Sequence, residues 1–393
     1  MNIPKDFIIR EEFLPFALPF YDETEIGEVV DSINSNWWTK GPKTAKFEEE
    51  FAKFVGAKYA LAVNSCTAAL HLALISHEIP KGSEVITTVM TFAASVNTII
   101  HAGLTPVLAD IDPSTGLIDP KDIIKKITPK TRAIMPVHFA GAACDMDEIR
   151  AIANKYNLVI IEDAAHATGT TYKGEHVGAS GTACFSFYAN KNLACGEGGM
   201  LVSDDKKMME AARVQSLHGM SKNAWNRFAG GSWRYDVEYA GFKYNLTDIA
   251  AGLGLVQLER FDKMQDNREK IVKIYDEEFL KNEFVTPLKR VDYGVHANHL
   301  YIIKIDSSKL KINRDEIIET LTNHYKIGLS VHYTPIHLHS YYQKTFGFKA
   351  GDFKQAEALY EGCISLPIYP GLTQEDALYV ARAVSSLTKA NAR

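Results

Sequence analysis

KYALAVNSCTAALHLALI, residues 58–75, sets a short apolar run directly before a helical one, with a polar turn between. KYALAV (58–63) reads as a strand and TAALHLALI (67–75) as a helix. The alternation continues downstream. EVITT (84–88) precedes a helix-like stretch from Phe92 to Ala102, and TPVLADI (105–111) precedes a helix near 120–127. RAIMPVHF (132–139) precedes a helix near 147–156, and LVIIED (158–163) closes the series. Strand and helix in repeated succession predict an α/β fold, a mostly parallel sheet flanked by helices. In such sheets ligands gather beyond the carboxyl ends of the strands. The NSCT turn (64–67) and Asp163 are therefore candidates by position alone.

After Gly241 the character changes. One long helical stretch runs from about Thr247 through LGLVQLERFDKMQDNREKIVKIYDEEF, followed by HLYIIKI (299–305) and KIGLSVHY (326–333) with a further helix between them. This predicts a smaller α+β domain, with a division into residues 1–260 and 261–393. There is no internal repeat, low-complexity tract or linker rich in Pro, Gly and Ser.

Bulk properties narrow the function. The chain has 393 residues, 46% hydrophobic and 23% charged, with 43 basic against 48 acidic side chains and a formal net charge of −5. Such a balance argues against a nucleic-acid surface, which needs clustered basic residues. The five cysteines (Cys66, Cys144, Cys184, Cys195 and Cys363) contain no CxxC pair, which suits a reducing compartment. MNIPKDFIIREEF lacks the basic-then-apolar order of a signal peptide, and no apolar run approaches the roughly 18 residues that span a bilayer. A soluble, cytoplasmic protein without membrane partners is expected.

Three segments carry chemistry: NSCTAAL (64–70), EDAAHATG (162–169) and FSFYANKNLACGEGG (185–199). Lys191 lies in a small, polar, glycine-flanked stretch, where an amine of lowered pKa can form a Schiff base with an aldehyde cofactor. A lone lysine is otherwise a solvated surface residue. Asp163 either caps the following helix or pairs with a protonated pyridine nitrogen. His166, three residues on, shares its side if a helical turn begins there and can then hydrogen-bond a phenolic oxygen. Ser186 stands five residues before Lys191. The NSCT turn offers hydroxyls and free N–H groups at a helix start, which cap the helix or bind phosphate.

Together these segments resemble the DegT-type sugar-nucleotide aminotransferases, a family of pyridoxal-phosphate (PLP) enzymes of fold type I. TKGPKTAKFEEEFAKFVG (39–56), VHFAG (137–141), SLHGM (216–220), GFKYNLTDI (241–249) and SLPIYPGLT (365–373) extend the likeness over essentially the whole chain. EDAAHATG, KYNL and the dipeptide Ala224-Trp225 resemble the subgroup that aminates a UDP-4-keto-pentose with glutamate.

The resemblance implies PLP as cofactor, Lys191 as its covalent anchor, Asp163 as partner of the ring nitrogen and His166 as contact of the phenolic oxygen. It implies a phosphate cradle of Cys66, Thr67 and Ser186, with Cys66 acting through its backbone N–H. Phe92 is implied to cover the cofactor ring. Asn245 is implied to reach the phosphate bound by a neighbouring subunit, hence a homodimer with shared active sites. His332, Tyr333 and His337 are implied to face the nucleotide sugar, and Trp225 and Arg227 to touch the nucleotide. His332, His337 and His339 point to no metal, since no carboxylate accompanies them and the spacing lacks the one-face geometry of HExxH. The rival functions are C3 amination of a dTDP-keto sugar, a dehydratase of the same fold with histidine in place of the lysine, and a non-catalytic sugar-nucleotide sensor.

Overall fold

The computed structural model describes residues 2–4, 6–220 and 236–393. Ala224, Trp225 and Arg227 lie outside the described residues. The strands are β1 (Tyr59–Val63), β2 (Glu84–Thr88), β3 (Thr105–Ala109), β4 (Thr131–Met135), β5 (Val159–Asp163), β6 (Thr171–Tyr172), β7 (Glu175–His176), β8 (Thr182–Ser186), β9 (Gly199–Ser203), β10 (Val285–Pro287), β11 (Tyr301–Ile305) and β12 (Cys363–Leu366).

Seven of them form one sheet in the order β1-β9-β8-β5-β4-β2-β3. Only β9 runs against the others, pairing antiparallel with both β1 and β8. The fold is thus α/β with a mostly parallel sheet, as the alternation predicts. Because side chains alternate along a strand, the sheet feeds two cores. Leu61, Val85, Met135, Ile161 and Cys184 join helix Cys66–Ser76 on one face. Ala62, Ile86, Ile134 and Phe185 join helix Pro42–Val55 on the other. There Phe51 contacts Phe185 and Phe187 with ring centroids 5.1 and 5.2 Å apart.

A second, antiparallel sheet, β10-β11-β12, packs with helices Phe261–Phe279 and Gln374–Ala390 around Tyr275, Phe279, Ile303, Val380 and Val384. All five cysteines are buried and free. Among the described residues no helix is long and apolar enough to cross a membrane.

Two expected elements differ. The single long helix after Thr247 is two helices, Asp248–Glu259 and Phe261–Phe279, that meet at Arg260. Arg260 is drawn aside by ion pairs to Asp22 at 2.5 Å and Glu25 at 2.7 Å, and the buried ring of Phe261 packs on Phe54 at 5.1 Å. Tertiary contacts thus bend a pattern that is helical on both sides. KIGLSVHY forms no strand: Ile327 bridges Leu14 and Ser330 bridges Ser365, each in isolation. Strands β8 and β9 lack an alternating pattern because both are buried on both faces.

Candidate active site

A cavity of about 420 Å³ opens at the carboxyl edge of the parallel strands. Four of the parallel strands, β1, β2, β5 and β8, contribute. The turn after β1 supplies Ser65, Cys66 and Thr67; the one after β2 supplies Phe92 and Ser95. Asp163 ends β5, with His166 just beyond, and Ser186 ends β8, with Lys191 in the following loop.

Ser65 caps helix Cys66–Ser76, its Oγ accepting from the Ala68 N–H at 3.1 Å. The N–H groups of Cys66 and Thr67 belong to the first turn, where no intrahelical acceptor exists, so they present donors and the positive end of the helix dipole to the cavity. The Cys66 thiol turns the other way, toward the Cys184 carbonyl at 3.4 Å. Gly199, at the start of β9, makes this approach possible: a Cβ there would lie 2.5 Å from Cys66 N and Ser65 C.

Asp163 is buried, and desolvation pushes its pKa up. Two donors oppose that. The Ser95 hydroxyl donates to Oδ2 at 2.7 Å and the Ala165 N–H to Oδ1 at 3.1 Å. A buried carboxylate so placed favours a cationic partner.

The Lys191 amine is the converse case. Burial pushes its pKa down to about 8, which keeps a reactive neutral fraction near neutral pH. Its Nζ lies 3.4 Å from His299 Nε2.

His166 is buried, and its pKa falls well below the ordinary range for that reason first. In the Phe139–Gly141 turn, Ala140 directs its N–H at His166 Nδ1, 3.3 Å away. Nδ1 therefore accepts, Nε2 carries the proton, and that proton faces the Tyr333 hydroxyl at 2.9 Å. The tautomer is assigned from these partners.

The remaining expected residues divide. Phe92 stands at the rim, 63% exposed, with its ring 6.1 Å from that of Tyr333. His332 lines the cavity and its Nδ1 meets Ser365 Oγ at 2.8 Å. His337 lies outside it, fully buried, with Nε2 2.8 Å from Glu357 Oε1 and its ring against Phe353. Asn245 is also outside, near Thr39 at 3.5 Å, beside a second cavity of about 190 Å³ lined by Lys40, Arg213 and Lys243.

Sequence reasoning did not single out Ser95 or His299. Ser95 falls unremarked within the helix-like stretch from Phe92 to Ala102, and His299 is only the first letter of the HLYIIKI run. Neither position carries a local signal, because each gains its meaning from a partner far along the chain.

The donor set fits PLP. Free helix N–H groups and the Ser186 hydroxyl suit a phosphate, a buried carboxylate suits a protonated ring nitrogen, and an amine of depressed pKa suits an aldehyde.

Comparison with known proteins agrees. Residues 19–385 match the DegT/DnrJ/EryC1/StrS aminotransferase family. The chain is 51% identical over 383 residues to the Bacillus subtilis spore coat polysaccharide biosynthesis protein SpsC, covering 97% of this chain and 98% of that one. The PLP form of Streptococcus pneumoniae Spr1654 superposes with a TM-score of 0.89 at 35% identity, covering 96% and 99% of the two chains. Helicobacter pylori PseC, an aminotransferase involved in pseudoaminic acid biosynthesis, gives 0.90 at 30% identity, covering 96% and 100%.

Proposed function

We propose that this chain, which belongs to the DegT/DnrJ/EryC1/StrS aminotransferase family and is a PLP-dependent sugar aminotransferase, moves the amino group of L-glutamate onto C4 of a UDP-linked keto sugar. Glutamate leaves as 2-oxoglutarate and the sugar ketone becomes an amine, so no outside oxidant or reductant is consumed. The observation that carries the reading is the meeting of Lys191, Asp163, His166, Ser186 and the start of helix Cys66–Ser76 in one cavity.

PLP supplies an aldehyde that takes up the amino group and a ring that draws electrons from the reacting carbon. The chain's residues do the rest. The N–H groups of Cys66 and Thr67 and the Ser186 hydroxyl hold the phosphate. Asp163 keeps the ring nitrogen protonated, itself steadied by Ser95 and Ala165. With the cofactor bound, the His166 Nε2 proton would turn from the Tyr333 hydroxyl to the phenolic oxygen, and Phe92 would cover the ring. Lys191 anchors the cofactor, and its Nζ removes the α-proton of glutamate and later delivers a proton to the sugar carbon.

His332 and Tyr333 face the sugar. In this reading Asn245 serves the phosphate site of a second copy, in a homodimer with shared active sites, which accounts for its place outside its own chain's cavity. SpsC and PseC are named for polysaccharide and pseudoaminic acid biosynthesis, which favours an amino sugar destined for a glycan. The C4 position, UDP and glutamate rest on the EDAAHATG and KYNL segments.

The test is spectroscopic. Glutamate should abolish the visible band of the PLP-loaded protein, and a UDP-4-keto sugar should restore it. Recovery only with a dTDP-3-keto sugar would refute the C4 assignment, and a Lys191→Ala variant with near-normal turnover would refute the role of Lys191.

A further inference from the structure

Lys191 must leave the cofactor in every catalytic cycle, and a freed amine on a flexible four-carbon stem needs somewhere to go. In the structure its Nζ lies 3.4 Å from His299 Nε2. Whether that nitrogen offers a lone pair or a proton is decided by a chain of partners. The Ala297 carbonyl can only accept, so the Asn192 Nδ2 that contacts it is the donor. Asn192 Oδ1 therefore faces His299 Nδ1, 3.0 Å away, and requires a proton there. Nε2 is left as the acceptor, aimed at Lys191. The 297–299 segment is held in turn by Gly141, whose carbonyl takes the Ala297 N–H at 2.9 Å. A Cβ at Gly141 would lie 3.1 Å from the backbone nitrogens of Asn298 and His299.

We propose that His299, oriented by Asn192, is a positioning residue that receives the free amine of Lys191 and holds it within reach of the reacting carbon. The inference rests on Lys191 being the reacting amine. Burial holds the His299 imidazole neutral, so the lone pair persists at working pH. The other titratable groups around the pair are Asp163, His166, His332, Cys66 and, behind the imidazole, Arg268. His166 lies tilted against His299, with ring centroids 4.4 Å apart, and is itself neutral.

The full-length protein loaded with pyridoxamine phosphate has Lys191 free. Labelling it with acetic anhydride as pH is raised, with the Lys191 peptide quantified by mass spectrometry, gives the titration midpoint of the amine. In His299→Leu the midpoint should fall by about one unit, because an acceptor that favours the ammonium form is gone. The glutamate half-reaction should slow about tenfold at an unchanged KM, the effect of misplacing one reacting group. His299→Gln, whose side-chain oxygen accepts from the amine, should restore both.

An unchanged midpoint in His299→Leu, or a glutamine variant no better than leucine, overturns the proposal. Should His299→Leu fail to fold, Asn192→Ala, which frees the imidazole to turn its N–H toward Lys191, must lower the midpoint, and an unchanged value there overturns it equally. Borohydride treatment of the PLP-loaded wild type separates the two readings. No cofactor fixed on the Lys191 peptide overturns both; cofactor fixed there with an unchanged midpoint overturns this one alone.

Discussion

Replacing Lys191 with methionine should stabilise the protein prepared without PLP, although it removes the amine proposed to react. Burial lowers the Lys191 pKa from 10.5 to about 8. A cation with a depressed native pKa costs stability in full below that pKa, and the cost fades as pH rises through it toward the unfolded value. From these two values the cost is about 3 kcal/mol at pH 7, about 2 at pH 9 and under about 1 at pH 10. The methyl-capped side chain has nothing to desolvate. Asp163 loses a nearby cation in the variant, which returns part of the gain. A net stabilisation of about 2 kcal/mol at pH 7 is therefore expected, shrinking as the pH is raised.

Guanidinium unfolding of both proteins at several pH values and one fixed protein concentration measures it, since any association then enters both curves alike. A variant no more stable at pH 7, or an advantage that does not shrink at alkaline pH, would show that the cavity leaves this amine solvated. The depressed pKa, and with it the chemical reason for choosing Lys191, would then be wrong.

Three further outcomes follow from the geometry. Asp163→Asn keeps the shape but removes the charge, and should lower kcat/KM about 10²–10⁴-fold, the equivalent of the 3–5 kcal/mol typical of a broken buried ion pair; stopped-flow rates of the glutamate half-reaction measure this. Gly199→Ala drives a methyl into the backbone at Ser65 and Cys66, and β9, paired on both sides, has no room to retreat. The Kd for PLP should rise about tenfold or more in a fluorescence titration, with the melting temperature less affected. Phe51→Ala removes a fully buried ring between Phe47, Phe185 and Phe187 and should cost about 3–5 kcal/mol in urea unfolding. A loss below about 1 kcal/mol would contradict the packing described here.

Local pattern carried a good deal. The runs at 84–88 and 158–163 announced strands because short apolar stretches between polar turns can bury themselves only in a sheet. NSCT and EDAAHATG pointed to the cavity because their residues stand where such strands end. The same local reading missed what neighbours impose. It carried one helix through Arg260, where Asp22 and Glu25, more than two hundred residues earlier, pull the chain into a new helix. It also made a strand of 326–333, a segment whose partners, Leu14 and Ser365, come from opposite ends of the chain.

The sequence by itself thus determined the class of fold and the chemical types gathered in the cavity: an amine, a carboxylate, an imidazole and a helix start rich in free donors. Only the tertiary structure decided their states. Burial separates the Lys191 and Asp163 pKa values from their ordinary ranges, and burial is a property of all the chain that closes over them. The strand order β1-β9-β8-β5-β4-β2-β3 sets β5 beside β8, bringing Asp163 and Ser186 to one edge. Ser95 and His299 acquire roles only there, from partners 68 and 108 positions away. Such contacts leave no periodic trace, because periodicity records which face of an element is buried, not what it meets.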